Sequence, residues 1–366
     1  MTDLLYSDTE DELRAAVRSL LAARAGHSTT LARAEAGEPH DSALWHTLAV
    51  DIGTAGLLVP EKLGGQGATH REAAVVMEEL GRSVAGLPYL TSAVISTDVL
   101  MACEGPSVPA LLAALCAGSV CVTALPLTTA LAGPLTPAVH DEGGGVLTGA
   151  VSFVADAIGA DTFLVLADTG LYAVPAADAA VTPQVPLDLT RPLAEVRLTA
   201  ARGDLVAPPQ AARAALSGAL LTGAGLLASE QVGLADRCLT DTVEHLKERR
   251  QFNRPLGSFQ ALKHRLAQLW LDVASARAAA RAAADALATG APDAPLTVAV
   301  AQAYCSTVAV RAAEECVQLH GGIGMTWEHP AHLALKRAKA DSLALGTTGH
   351  HRTLVADLAE LPGPRS

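Results

Sequence analysis

Aromatic residues are scarce. Phenylalanine, tyrosine and tryptophan make up 3% of the 366 residues, although half the chain is hydrophobic. Alanine and leucine must fill most of the core, and both favour helices. Cysteine is sparse too. The six (Cys103, Cys116, Cys121, Cys238, Cys305 and Cys316) are scattered without CxxC spacing. No metal site or disulfide framework is expected; the thiols read as reduced, buried small hydrophobes. Charged residues are only 17%, the formal net charge is −12 and no long basic block occurs. That argues against nucleic acid as a partner. No apolar run is long enough, and free enough of polar residues, to span a bilayer, so no membrane partner is expected. The acidic opening Met-Thr-Asp-Leu-Leu-Tyr-Ser-Asp lacks the positive start of a signal peptide, and the expected location is cytoplasmic.

The chain is long enough for two or three domains. The texture is helical over 1–118. Ser7 and Glu10 offer a cap before Leu13, Val17, Leu20 and Leu21. Thr69 caps a helix expected to end at Gly81. Between them Glu61-Lys62-Leu63-Gly64-Gly65-Gln66-Gly67 lacks the GK[ST] ending of a phosphate loop and reads as an inter-helix turn. Over 119–206 short apolar runs alternate with Asp141-Glu142-Gly143-Gly144-Gly145 and Ala167-Asp168-Thr169-Gly170. These are hairpin signals of a small β-barrel or sandwich. Helical runs return at 211–250, 256–289, 296–319, 332–345 and 350–361, so 207–366 reads as an antiparallel four-helix bundle. The fold class is α+β, and only the last few residues look loose.

One stretch stands apart. Residues 248–260 read Glu-Arg-Arg-Gln-Phe-Asn-Arg-Pro-Leu-Gly-Ser-Phe-Gln. They set three arginines and two of the four phenylalanines at a joint between helices. Guanidinium forks beside flat rings suit a phosphate-bearing, partly apolar ligand. A solvated helix corner is the alternative.

Arg249-x-x-Phe252 with Phe259-Gln260, and Gln318-Leu319-His320-Gly321-Gly322-Ile323-Gly324, resemble the two flavin motifs of the acyl-CoA dehydrogenase family. Trp45-His46-Thr47-Leu48, Gly56-Leu57, Pro60-Glu61-x-x-Gly64-Gly65-x-Gly67 and Glu79-Leu80-Gly81 match in the same order, so the resemblance covers nearly the whole chain. It implies FAD at a subunit interface. Arg249, Gln251, Phe252 and Gln260 would lie on one side and Gln318, Gly321 and Gly322 on the other. The guanidinium of Arg249 can fork onto phosphate oxygens, and the paired glycines let backbone N–H groups approach an anion. Asn253 replaces a usual glycine and tolerates a left-handed backbone. Thr123, in Thr-Ala-Leu-Pro, and Thr347 would face the flavin, with an aromatic over the ring near Phe153.

The resemblance further implies α,β-dehydrogenation of an acyl-CoA thioester, with electrons passed to an electron-transfer flavoprotein or other acceptor. The chemistry needs a carboxylate base in a dry pocket. Its usual position holds Leu345, in Ala344-Leu345-Gly346-Thr347. The alternative position, about seven turns before Arg249, falls near Gly223, in a segment free of Asp and Glu. Glu230 lies roughly two turns further on and reads as surface or intersubunit pairing. The resemblance is closest to the base-lacking subunit of actinobacterial α2β2 enzymes that shorten steroid side chains, which pairs with a homologous subunit carrying the catalytic Glu. Two alternatives stand beside it. One is a homo-oligomer (a tetramer) with altered chemistry, with His350 or His351 as base, although adjacent histidines more often start a helix in solvent. The other is a scaffold that has lost FAD.

Overall fold

The structure, a computed structural model, describes residues 4–38 and 40–362. The opening tripeptide and the end of the tail expected to be loose lie outside them. Ser7 starts α1 (Asp8–Arg24) with a capping box. Its hydroxyl accepts from the Glu10 N–H, while the Glu10 carboxylate accepts from the Ser7 N–H at 2.7 Å, satisfying two donors that a helix start leaves open. Two shorter helices follow, α2 (His27–Ala36) and α3 (Ser42–His46). Thr69 and Glu72 form a second capping box at α4 (His70–Ser83). Gly81 does not end α4. The helix runs on to Ser83 and stops at Val84, whose φ is 51°. Gly81 is instead a contact point, because a Cβ there would sit 2.0 Å from the Glu230 carbonyl oxygen.

A π-helical segment, Tyr89–Ser96, is buried at every position and leads into α5 (Thr97–Met101), after which α6 (Val108–Cys116) closes the helical layer. π-Turns collect at functional sites, and this one points Thr91 and Ile95 at the sheet–bundle junction.

The middle layer is one eight-stranded sheet. It comprises β1 (Cys121–Thr123), β2 (Val139–Asp141), β3 (Val146–Ala155), β4 (Thr162–Ala167), β5 (Gly170–Pro175), β6 (Ala179–Gln184), β7 (Leu193–Arg202) and β8 (Asp204–Ala207). The order is β6-β7-β3-β2-β4-β5-β8, with β1 parallel to β4. The two expected hairpins are β2–β3 and β4–β5. The two halves of the sheet join through the pair Val139–Ala167, and an isolated bridge, Pro126–Val154, ties β3 to the chain after β1.

The third layer is helical. Helix α7 (Pro209–Glu248) runs 40 residues. A minute hairpin, β9 (Arg250–Gln251) and β10 (Arg254–Pro255), turns it into α8 (Gln260–Thr289). Gly290, at φ 61°, ends α8. Helix α9 (Ala294–His320) returns along α7, and α10 (Ala331–Asp341) and α11 (Thr348–Leu358) complete the bundle. The expectation about apolar runs needs correcting. Helix α7 and the segment Ala294–Met325 are long and apolar enough to cross a membrane. In this fold, 67% and 56% of their most apolar windows are buried, so their apolarity serves the bundle core.

Candidate flavin and acyl site

The carbonyl of Leu127 accepts from the Leu345 N–H at 2.9 Å, and the carbonyl of Leu345 accepts from the Leu131 N–H at 3.2 Å. These bonds clip the loop after α10 to the connection between β1 and β2. They hold Leu345 at φ 55° and bury its side chain. Its Cδ1 lies 3.2 Å from where a Cβ at Gly223 would stand, and the Ile95 Cγ1 is 2.8 Å from the same point. The two positions that the resemblance implies for a base, Leu345 and Gly223, therefore face each other across one spot. Neither carries a group that takes a proton. The cavity beside them holds only about 30 Å³ and is lined by Thr91, Ile95, Thr123, Leu220, Leu345 and neighbouring apolar residues, with no carboxylate or histidine.

The carboxylates and histidines nearby are engaged elsewhere. Asp98 accepts from the Thr222 hydroxyl at 3.1 Å; burial raises its pKa. Asp156 accepts from Thr91 at 2.8 Å, and burial pushes it up to about 6. Neither lines the cavity. The His350 Nε2 is 2.6 Å from the Leu131 carbonyl. His351 is not in solvent as expected. It is fully buried, and burial and His350 push its pKa down to about 4. It packs under Gly346, whose missing Cβ leaves room for its Nε2.

Glu230 also differs from expectation. It is buried within the chain, accepting both nitrogen–oxygen contacts of Arg191 at 2.8 Å and a 2.5 Å bond from Arg337. Asp188 pairs with Arg337, and Asp341 accepts from Arg191 at 2.6 Å. Burial opposes the charge on Glu230, but Arg191 and Arg337 outweigh it and hold its pKa below the usual carboxylate range. Sequence gives no local signal for this cluster, because its members come from the β6–β7 connection, α7 and α10.

The flavin-motif residues form a second region. The C-terminal ends of α7 and α9 lie side by side, with the His245 and His320 rings 4.3 Å apart. The loop bearing Arg249 and the loop bearing Gly321 thus sit together at one end of the bundle. Arg249, Gln251, Gln260, Gln318, Gly321 and Gly322 are all exposed. Phe252 is 84% exposed. Phe252 and Asn253 both have positive φ, 53° and 62°, the geometry of a tight two-residue hairpin turn. Arg254 stacks on the Phe259 ring at 3.8 Å, and Phe252 meets Phe259 edge to face. Arg249 and Arg250 have no ion-pair partner among the described residues. Gly321 has φ 66° and ψ −142°, a conformation reserved for glycine, and side chains at Gly321 and Gly322 would meet open space. Unpaired guanidinium forks beside bare backbone are a donor set for an anion such as a pyrophosphate.

The sheet-side residues form the third group. Thr123 is buried, its hydroxyl 2.9 Å from Ser96 Oγ. Thr347 caps α11, accepting from the His350 N–H. Phe153 sits at φ 59° on a β3 bulge, 53% exposed. From Gly223 to Arg249 is about 40 Å along α7, farther than an extended dinucleotide reaches. Among the described residues no group of three or more His, Cys, Asp or Glu is placed to hold a metal ion.

Helical layer, sheet and bundle with a closed apolar junction define an acyl-CoA dehydrogenase architecture. Family models for the acyl-CoA dehydrogenase N-terminal domain match residues 7–103, and those for the C-terminal domain match 213–359. The chain is 34% identical to acyl-CoA dehydrogenase IpdE2 of Mycobacterium tuberculosis, over 91% of this chain and 92% of that one. It is 32% identical to FadE27 of the same organism, covering 88% and 89%. In three dimensions it is similar to a chain of the ChsE4–ChsE5 complex of M. tuberculosis, with TM-score 0.86, 28% identity and 99% and 100% coverage. It is also similar to a chain of the Tcur3481–Tcur3483 steroid ACAD, with TM-score 0.83, 26% identity and 96% and 98% coverage. The chain belongs to the acyl-CoA dehydrogenase family, whose cofactor is FAD.

Proposed function

We propose that this chain is the base-lacking subunit of a heteromeric, FAD-dependent enzyme that α,β-dehydrogenates a CoA thioester, with a steroid side chain or another lipid acyl group as substrate. The observation that carries this reading is the meeting of Leu345 with Gly223. Two positions that could each supply a carboxylate converge there on an apolar cavity of about 30 Å³. An α-proton of a thioester is weakly acidic and needs a positioned base of matched pKa, and nothing lining this cavity accepts a proton. When bound, the flavin accepts the β-hydrogen as hydride. The chain's own contribution is at the bundle tip. Arg249 and the glycines Gly321 and Gly322 would hold the pyrophosphate and adenine end of a cofactor whose ring end lies against a neighbouring subunit. The similarity to a chain of the two-component ChsE4–ChsE5 complex supports partnership with a homologue bearing a catalytic Glu. An electron-transfer flavoprotein or comparable acceptor would reoxidise the flavin.

The test is steady-state reduction of an artificial electron acceptor across a panel of CoA thioesters. The chain purified alone should show no turnover above background. Co-expressed with a homologue carrying the carboxylate, it should be recovered as a tetramer of mixed composition, read by mass, and that complex should turn over. Turnover at an ordinary rate by this chain alone would overturn the reading, as would a stable homotetramer that ignores the homologue.

A further inference from the structure

Away from both regions, a cavity of about 320 Å³ opens between α1, α2, α4, α7 and the loop leading to α10. Cys238 of α7 and Cys316 of α9 both line it. Neither is used by the flavin or acyl chemistry. The two thiols are neighbours across the α7–α9 seam, close enough to perturb one another. The His320 Nδ1 lies 3.6 Å from the Cys316 Sγ and 2.7 Å from the Cys316 carbonyl oxygen. A nitrogen that close to a carbonyl oxygen carries hydrogen, so Nδ1–H donates to the Cys316 carbonyl with the sulfur beside it.

The surroundings favour a charged pair. His320 is the last residue of α9, where the helix dipole stabilises a cation. Its ring is the middle of three, with centroids 4.3 Å from His245 and 4.5 Å from His329. Burial works against protonation of His320, but the Cys316 contact outweighs it and raises its pKa, whereas burial and the His320 charge lower those of His245 and His329. The central ring therefore keeps the proton. The hydrogen bond from Cys238, then the one from His320, draws Cys316 below the ordinary thiol range despite burial, while Cys238 is held above it. Charges on the other walls are spoken for. Arg18 of α1 pairs with Glu79 of α4 at 2.6 Å, Arg82 with Asp236, and Arg237 with Asp241 at 2.6 Å. His27 of α2 is the remaining titratable group on that rim. Both thiols are buried side chains in the wall of this cavity; a thiolate beside an imidazolium, with a second thiol as neighbour, is the arrangement of a reactive cysteine.

We propose that Cys316 is a peroxide-reactive thiol, with His320 as its charge partner and Cys238 as its resolving thiol, and that oxidation closes a disulfide between α7 and α9. The Cys316 thiolate attacks one oxygen of a small hydroperoxide. The O–O bond breaks, Cys316 becomes a sulfenic acid, and the departing oxide takes the His320 proton and leaves as water or alcohol. The Cys238 sulfur then attacks the sulfenic sulfur. The S–S bond forms, the S–O bond breaks, and the hydroxyl leaves as water with the Cys238 proton. Two thiols lose two electrons, and the peroxide gains them. The covalent tie spans the two helices whose tips carry the flavin loops.

The experiment uses the flavin-loaded wild-type protein and maps cysteine-containing peptides by mass. With iodoacetamide at pH 6, Cys316 should be alkylated more than ~10-fold faster than Cys305, since each unit of difference in thiol pKa is worth about a factor of ten. Cys305 is a fair control, being buried with its thiol pushed up to about 12. Hydrogen peroxide should then yield a linked Cys238–Cys316 peptide and protect Cys316 from the reagent. Cys238→Ser should leave a sulfenic acid at Cys316 that dimedone traps. His320→Gln should slow the pH 6 reaction but not the reaction at pH 9. Alkylation of Cys316 no faster than Cys305, or peroxide treatment without the linked peptide, would overturn the proposal on the wild-type protein alone.

Discussion

Phe252 and Asn253 show how far single residues could be read. Asn253 was expected to tolerate a left-handed backbone, and it takes φ 62°. Phe252 shares that geometry at φ 53°, which an aromatic side chain adopts only under constraint. The turn is set by the β9–β10 pairing, a contact that residue type alone does not announce. Arg249 projects from the same loop without an ion-pair partner among the described residues. Arg249→Ala should therefore cut the flavin retained through purification, measured as the ratio of flavin to protein absorbance, with little change in melting temperature. Retention equal to wild type would remove Arg249 from the cofactor site. Glu230 was misread because a carboxylate on an amphipathic-looking helix is ordinarily solvated. Its partners Arg191 and Arg337 are distant in sequence and fully buried. Removing one member of a buried ion pair leaves uncompensated charge and costs about 3–5 kcal/mol. Glu230→Gln should lower the denaturant midpoint accordingly, and the surviving folded protein should keep its flavin. A catalytic role would instead leave stability intact.

At the level of elements, helix runs were legible and their meetings were not. The periodic segments beginning near 211, 256, 296, 332 and 350 correspond to α7 through α11, because alanine- and leucine-rich stretches announce helices locally. The β6 strand passed unnoticed: Ala-Ala-Val-Thr-Pro-Gln carries a proline and little apolar weight, and only its pairing with β7 makes it a strand. Gly81 was read as a stop, yet it marks where α4 crosses α7. Gly233 answers it from the other side, since a Cβ there would lie 1.8 Å from the Glu78 carbonyl oxygen. With both side chains absent, the two backbones touch directly. Gly233→Ala forces the helices apart. The expected loss is about 1–3 kcal/mol, typical of overpacking, read as a lower thermal midpoint. An unchanged midpoint would mean that the crossing is soft.

Across the whole molecule, the buried charge cluster ties the sheet layer to the bundle: Asp188 and Arg191 from the sheet layer, Glu230 from α7, and Arg337 and Asp341 from α10. Burial and the neighbouring Glu230 push Asp341 up to about 7. A carboxyl whose pKa is higher folded than unfolded favours the fold fully below about 4, its unfolded value. That contribution is lost as pH rises through about 7. Glu230 and Asp188, held low chiefly by their arginines against burial, act oppositely and lose their contribution as pH falls below their unfolded values. Asp341→Asn cannot ionise, so its melting temperature relative to wild type should climb between pH 4 and pH 7. A constant difference across that range would show that Asp341 is already charged in the folded state. The three layers were legible in the sequence because each rests on local pattern. The junction was not, since Leu345, Gly223 and Ile95 meet only after the layers close. The 40-residue reach of α7 has one further result. In the proposed assembly its middle would border one flavin position, and its tip would reach toward another that a different chain completes. Cofactor retention is then a matter of mass action. Diluting the assembly should release flavin in step with the separation of its chains, and concentrating it should restore the yellow colour.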